Sequence, residues 1–229
     1  MSSGQINSDN SWIKHQMARN TARSQIHAAR HNWPAARMLF IDGNAGDAVG
    51  VALVQGGLFG QELSETTPEV LVRLAGVVGN TDVILCERNL QRRRLLQTRF
   101  PGVMLLKDNA DVPSHINPHL YDYAIWLSDP CGYSKHGVDA MAEIARMIPK
   151  SDFVIAFNEG ELERARGDTR ERYYEMSDPQ WWMVKLNKRF LARNQNIIQQ
   201  SPRFGLRLMV VSNYIANGAR NLEIITRRR

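Results

Sequence analysis

What most limits the fold of this chain is a repeated alternation. Short apolar runs rich in Val, Ile, Leu and aromatic residues are separated by longer stretches of helical period, which is the mark of a parallel sheet with helices on both faces. Residues 11–31 predict an opening basic helix, 37–41 a first strand, 68–79 a helix, 82–87 a second strand and 89–100 a helix. A third strand is expected at 103–107, a fourth at 121–128, a helix at 138–148 and a fifth strand at 152–158. The tail departs from this rhythm: 204–215 and 221–227 predict two strands joined across Asn217 and Gly218, a pair that favours tight hairpins. The expectation is therefore an α/β fold, doubly wound and mostly parallel, closed by a C-terminal antiparallel hairpin.

At 229 residues and 43% hydrophobic content, one substantial core is the default, so a single domain spanning 1–229 is expected. The polar stretch 159–200 is long for a plain connection and reads as a substrate-side insertion, with 181–195 amphipathic in helical period. No run of about 18 apolar residues occurs and the first residues lack an apolar signal segment, which points to a cytoplasmic protein with no membrane partner. Two cysteines, Cys86 and Cys131, are too few for a disulfide framework, and the six histidines show no metal-ligand spacing; no metal is expected.

Acids fall where strands end. Asp42, Glu87, Asp108 and Asp129 each stand at the carboxyl end of one of the first four strands, the rim along which open parallel sheets bind ligands. The first strand breaks at once into Gly43, Asn44, Ala45 and Gly46, a turn in which glycine lets backbone approach a ligand closely. S-adenosylmethionine suits these positions. Glu87, with Arg88 beside it, is placed to accept from ribose hydroxyls, Asp108 and Asn109 to meet the adenine edge, and an acid near the first turn to favour an ammonium. A dinucleotide is the competing ligand, but GxGxxG is absent and Asp42 would repel a pyrophosphate.

The segment "DGNAG" resembles the DxFAG form of methyltransferase motif I, with Asn44 in place of the aromatic and Ala48 where a second glycine often lies. "SDPCGY" resembles motif IV of enzymes that methylate exocyclic amines of adenine or cytosine. Together with the basic first helix, these elements are similar to the three-Cys-motif partner family of methyltransferases, over roughly Met38 to Asn158. The resemblance implies a Rossmann-like class I methyltransferase sheet, S-adenosyl-L-methionine as cofactor, and Asp129 and Pro130 as acceptors for the target amine, with Tyr133 available to stack on the base.

Cys131 opens a second route. "DPCGYSKHG" also resembles the Pro-Cys element of enzymes that methylate carbon five of cytosine, where the thiolate adds to the ring. A catalytically silent nucleic-acid-binding module with the same fold is a third reading, and a small-molecule or protein methyltransferase a fourth. The formal charge of +6 favours DNA or RNA as partner. Lys14, Arg19 and Arg23 on the first helix, Lys135 after the fourth strand, and Trp181, Trp182, Lys185 and Arg189 in the insertion are the candidate nucleic-acid contacts. So small a chain leaves little room for a sequence-reading domain, which makes an accessory protein a further expected partner.

Overall fold

The computed structural model describes residues 11–46, 52–56, 60–64, 66–128, 135–158, 195–201 and 206–212, with side chains described in 18–46, 66–128 and 139–155. The elements run α1 (Ser11–Asn32), β1 (Met38–Asp42), β2 (Ala52–Gly56), β3 (Gly60–Ser64), α2 (Thr67–Val78), β4 (Thr81–Cys86), α3 (Leu90–Arg99) and β5 (Met104–Leu106). They continue with α4 (Val112–His115), β6 (Tyr123–Ser128), α5 (Lys135–Met147), β7 (Ser151–Asn158), β8 (Gln195–Ser201) and β9 (Leu206–Ser212).

Seven of these strands form one sheet in the order β5-β4-β1-β6-β7-β9-β8. The first five are parallel, with β1 at the switch point between β4 and β6. β9 runs antiparallel both to β7 and to β8. This is a doubly wound, Rossmann-like sheet in which β9 opposes both its neighbours.

The residues of β1 explain why it sits at the centre. All five are buried, as a strand covered on both faces requires. Alternation splits them: Met38 and Phe40 pack with Ile26, Leu71, Leu74 and Leu96 from the helices on one face, while Leu39 and Ile41 pack with Trp126, Met141 and Ile144 on the other. Local signals set the helix ends. Glu69 Oε2 accepts the Thr66 N–H at 2.6 Å at the start of α2, and Asn89 caps α3 by accepting from the N–H groups of Gln91 and Arg92. Gly79, at φ 64°, ends α2 in a conformation that side chains disfavour.

Three features differ from the sequence-based expectation. Between β1 and α2, where no strand was expected, stands the antiparallel hairpin β2–β3. Gln195–Ser201, expected to close the insertion, forms strand β8. The partner of β9 is this β8, whereas the expected strand 221–227 and its Asn217-Gly218 turn lie outside the described residues, as do residues 159–194.

Candidate functional site

At the carboxyl rim, the chain leaving β1 is strapped to both neighbouring strands. Gly43 N–H donates to the Leu127 carbonyl of β6 at 2.8 Å, and Ala45 N–H to the Cys86 carbonyl of β4 at 3.0 Å. Between them, Asn44 N–H donates to Asp42 Oδ1 at 3.0 Å, closing an Asx turn on an acid that is itself buried. The Ser128 hydroxyl donates to Asn44 Oδ1 at 3.1 Å, so the last residue of β6 also holds this turn. Three successive amides are thus spent inside the protein.

The two glycines of the turn have different physical causes. A Cβ on Gly43 would lie 2.6 Å from Trp126 Nε1 and 3.3 Å from both side-chain atoms of the Asn109 amide. The protein's own packing is therefore sufficient reason for glycine at this position. Gly46 has φ +64° and nothing within 4 Å of where its Cβ would stand. Backbone conformation selects glycine at that position, and no other described residue crowds the place of its Cβ.

Glu87 follows β4, its N–H bonded to the Leu106 carbonyl of β5. One carboxylate oxygen, Oε1, accepts the Asn89 N–H at 2.6 Å; the other has no partner among the described residues and can receive a ligand. Asp108, after β5, accepts the Ala110 N–H at 3.2 Å, and its own N–H donates to Asp111 Oδ2 at 3.2 Å. Arg88, two-thirds exposed, closes on Asp108 Oδ2 at 2.6 Å, bridging the ends of β4 and β5. The side-chain amide of Asn109 lies beside Gly43. Cys86 reports the field these groups create: burial first, then Asp42, Asp108 and Asp111, pushes its thiol far above the ordinary range. Three carboxylates therefore act on one buried atom, and the rim is acidic.

The structure thus brings Asp42, Gly43, Asn44, Ala45, Gly46, Glu87, Arg88, Asp108 and Asn109 to one rim. Asp111, Trp126 and Ser128 join them without having been singled out in the sequence. Asp111 had a local signal, lying three residues after the capping Asp108. Trp126 had none beyond lying on a strand, and Ser128 only its place at the head of "SDPCGY".

Other expected contacts are distributed differently. Arg19 is 8% exposed, so it does not lie on an open basic face, whereas Arg23 is half-buried on the same helix. Arg30 spends its guanidinium on the carbonyls of Pro34, Ala36 and Gly79. Lys14 and Lys135 lie on α1 and α5, with side chains outside the described set. Asp129, Pro130, Cys131, Tyr133, Trp181, Trp182, Lys185 and Arg189 lie outside the described residues. Among the described residues no group of His, Cys, Asp or Glu could hold a metal ion, and no helix is long and apolar enough to cross a membrane.

No family model and no curated protein matches the chain. Solved structures do. The fold is similar to that of a Legionella pneumophila str. Philadelphia 1 protein assigned to the family model DUF519, with TM-score 0.59 and 10% identity over 88% of this chain and 85% of that one. It is similar to magnesium protoporphyrin IX methyltransferase from Synechocystis PCC 6803, crystallised with bound SAH, with TM-score 0.52 and 11% identity over 92% and 90% of the two chains. A candidate rRNA-methylase from Clostridium thermocellum aligns with TM-score 0.50 and 11% identity over 78% of this chain and 88% of that one. At such identities the likeness is one of fold: a Rossmann-like methyltransferase sheet.

Proposed function

We propose that this chain is an S-adenosylmethionine-dependent methyltransferase acting on nucleic acid, DNA or RNA, at an exocyclic amine of adenine or cytosine. The observation that carries the reading is the form of the rim. A pyrophosphate binds to turns that offer N–H groups. Here the amides of Gly43, Asn44 and Ala45 are consumed internally, and the rim offers carboxylates. That donor set suits a ligand carrying hydroxyls and positive charge, and disfavours a dinucleotide.

The residues present fit the methyl donor. Glu87 accepts from the ribose hydroxyls through the oxygen that Asn89 leaves open, while the anchored oxygen fixes the carboxylate plane. Asp42 and Asp108 supply negative potential for the ammonium and the sulfonium, and Asn109 offers an amide to the adenine edge. When bound, S-adenosylmethionine supplies an electrophilic methyl group. Asp129 and the Pro130 carbonyl, which follow Ser128 in sequence, accept hydrogen bonds from the target amine and so direct its lone pair, with Tyr133 stacked on the base. The net charge of +6, with exposed Arg94 and Lys107 among the cations near β4 and β5, favours a polyanionic target. A cytoplasmic location and an accessory protein that reads sequence belong to the same proposal.

Calorimetry with S-adenosylmethionine and with SAH tests the cofactor, since a silent nucleic-acid-binding module gives no heat with either. Incubation with labelled methyl donor and mixed DNA and RNA, followed by nucleoside mass spectrometry, then identifies the base. Loss of methylation in Asp129→Ala alone fits the amine route; loss in Cys131→Ala moves the reaction to carbon five of cytosine.

A further inference from the structure

We propose that Ser128 and Asn44 form a latch that fixes the Asp42–Gly46 turn against the end of β6 and makes both residues positioning residues for the methyl donor. The positioning role rests on the function proposed above; the latch itself rests on geometry. Two backbone bonds secure the chain on either side of Asn44, from Gly43 to β6 and from Ala45 to β4. Asn44 itself is exposed at the crest of the turn, and its Oδ1 receives the Ser128 hydroxyl across 84 residues of sequence at 3.1 Å.

Ser128 is only 5% exposed, so its hydroxyl has little access to replacement water, and the loss of its acceptor is costly. An apolar side chain at 44 would offer no such acceptor. Ser128 is also the last residue of β6, directly before Asp129. One hydrogen bond therefore ties the turn proposed to receive the donor to the residue from which the proposed target-binding segment departs. Such a tie is of use where two reacting groups must meet within a few tenths of an ångström.

Amide hydrogen exchange on the full chain, read in peptides covering 39–47, tests the latch without any ligand. Ser128→Ala and Asn44→Ala should each speed exchange of the turn amides about three- to tenfold, the range expected for one neutral hydrogen bond. The double variant should exchange no faster than either single one, because both changes remove the same bond. Ser128→Thr, which keeps the hydroxyl, should stay at the wild-type rate. SAH affinity measured on the same proteins should fall by a similar factor in the two alanine variants and persist in Ser128→Thr. Should Ser128→Ala fail to fold, the exposed Asn44→Ala keeps the test open.

Wild-type exchange rates in both single variants, or additive acceleration in the double one, would overturn the latch. Faster exchange with unchanged SAH affinity would overturn the positioning role. If the wild-type chain binds no SAH, the methyltransferase reading falls while exchange still decides the latch. If it binds SAH and the variants exchange like wild type, the latch falls and the reading stands.

Discussion

The two ends of the parallel sheet are both polar, and they are built on opposite principles. At the amino ends of the strands, acids meet hydroxyls and cations. Arg37 donates to Asp82 at 2.9 Å and lies over the Tyr121 ring at 5.6 Å. The Tyr123 hydroxyl donates to the fully buried Asp152 at 2.7 Å, and Lys150 sits 4.9 Å from the Trp33 ring. Burial and the hydrogen bond to Asp82 push the Tyr121 phenol up to about 12. At the carboxyl ends, Asp42, Glu87, Asp108 and Asp111 accept from or cap backbone N–H groups, and Asp108 also pairs with the exposed Arg88. Backbone donors orient a carboxylate without cancelling its charge. The amino end pairs its acids with side-chain donors, whereas the carboxyl end holds its acids chiefly through the backbone.

The largest effect that could break this contrast is expected at Gly43→Ala. Gly43 is not among the residues at positive φ, so alanine meets no backbone strain there; the penalty is the contact its Cβ would make 2.6 Å from Trp126 Nε1. Overpacking of this kind costs about 3 kcal/mol at the upper end of its usual range. Urea unfolding should show that loss, and SAH binding should weaken with it as the turn shifts. Wild-type stability in this variant would mean that the rim is soft and that its order does not come from packing.

At the other end, Tyr123→Phe leaves Asp152 buried without the phenolic donor and should cost about 1–2 kcal/mol. SAH affinity should stay within twofold, because nothing in the change reaches the rim. A large fall in affinity would deny that the two ends are independent.

The features that the sequence disclosed and those it concealed separate along the same line. Asp42, Glu87 and Asp108 were legible because each terminates an apolar run, and the parallel strands themselves were legible from their alternation with helices. β8 was hidden because Gln195–Ser201 is a polar strand at the sheet's outer edge, where only Ile197 and Ile198 are apolar and no hydrophobic run announces it. The β2–β3 hairpin was hidden because its strands, ALVQG and GQELS, are five residues each and the second is mostly polar, so no sustained alternation announces them. Within the site, the pairing of Ser128 with Asn44 and the place of Trp126 under Gly43 depend on strand register across the switch point, which no local pattern encodes. Gly43 carries a reason that the sequence did not show, since atoms of Trp126 and Asn109 crowd the place of its side chain.

A smaller effect should sharpen the comparison from the rim side. Glu87→Gln keeps the shape of the side chain and an oxygen for the Asn89 N–H, yet removes the charge and the certainty that both atoms accept. SAH affinity should fall about tenfold, equivalent to about 1.4 kcal/mol. The midpoint of urea unfolding should be unchanged, the reverse of the pattern at Tyr123. Equal losses in both measurements would make Glu87 a structural acid like Asp152.

The smallest expected effect is also the most specific to the rim, and it is read through Cys86. Its thiol is held protonated by burial and by the field of Asp42, Asp108 and Asp111. In the unfolded chain the same thiol loses its proton above about pH 8.5. Since the native state then binds one proton more than the unfolded state, raising the pH draws the equilibrium toward unfolding. The contribution is whole below the unfolded value and declines above it, by about 0.8 kcal/mol between pH 7 and pH 9. Cys86→Ala carries its own packing cost at every pH, so the informative quantity is the difference between the two pH values. That difference should shrink by the thiol's share in Cys86→Ala. If it remains whole, the alkaline loss comes from other groups and the buried thiol is not held protonated in the native state.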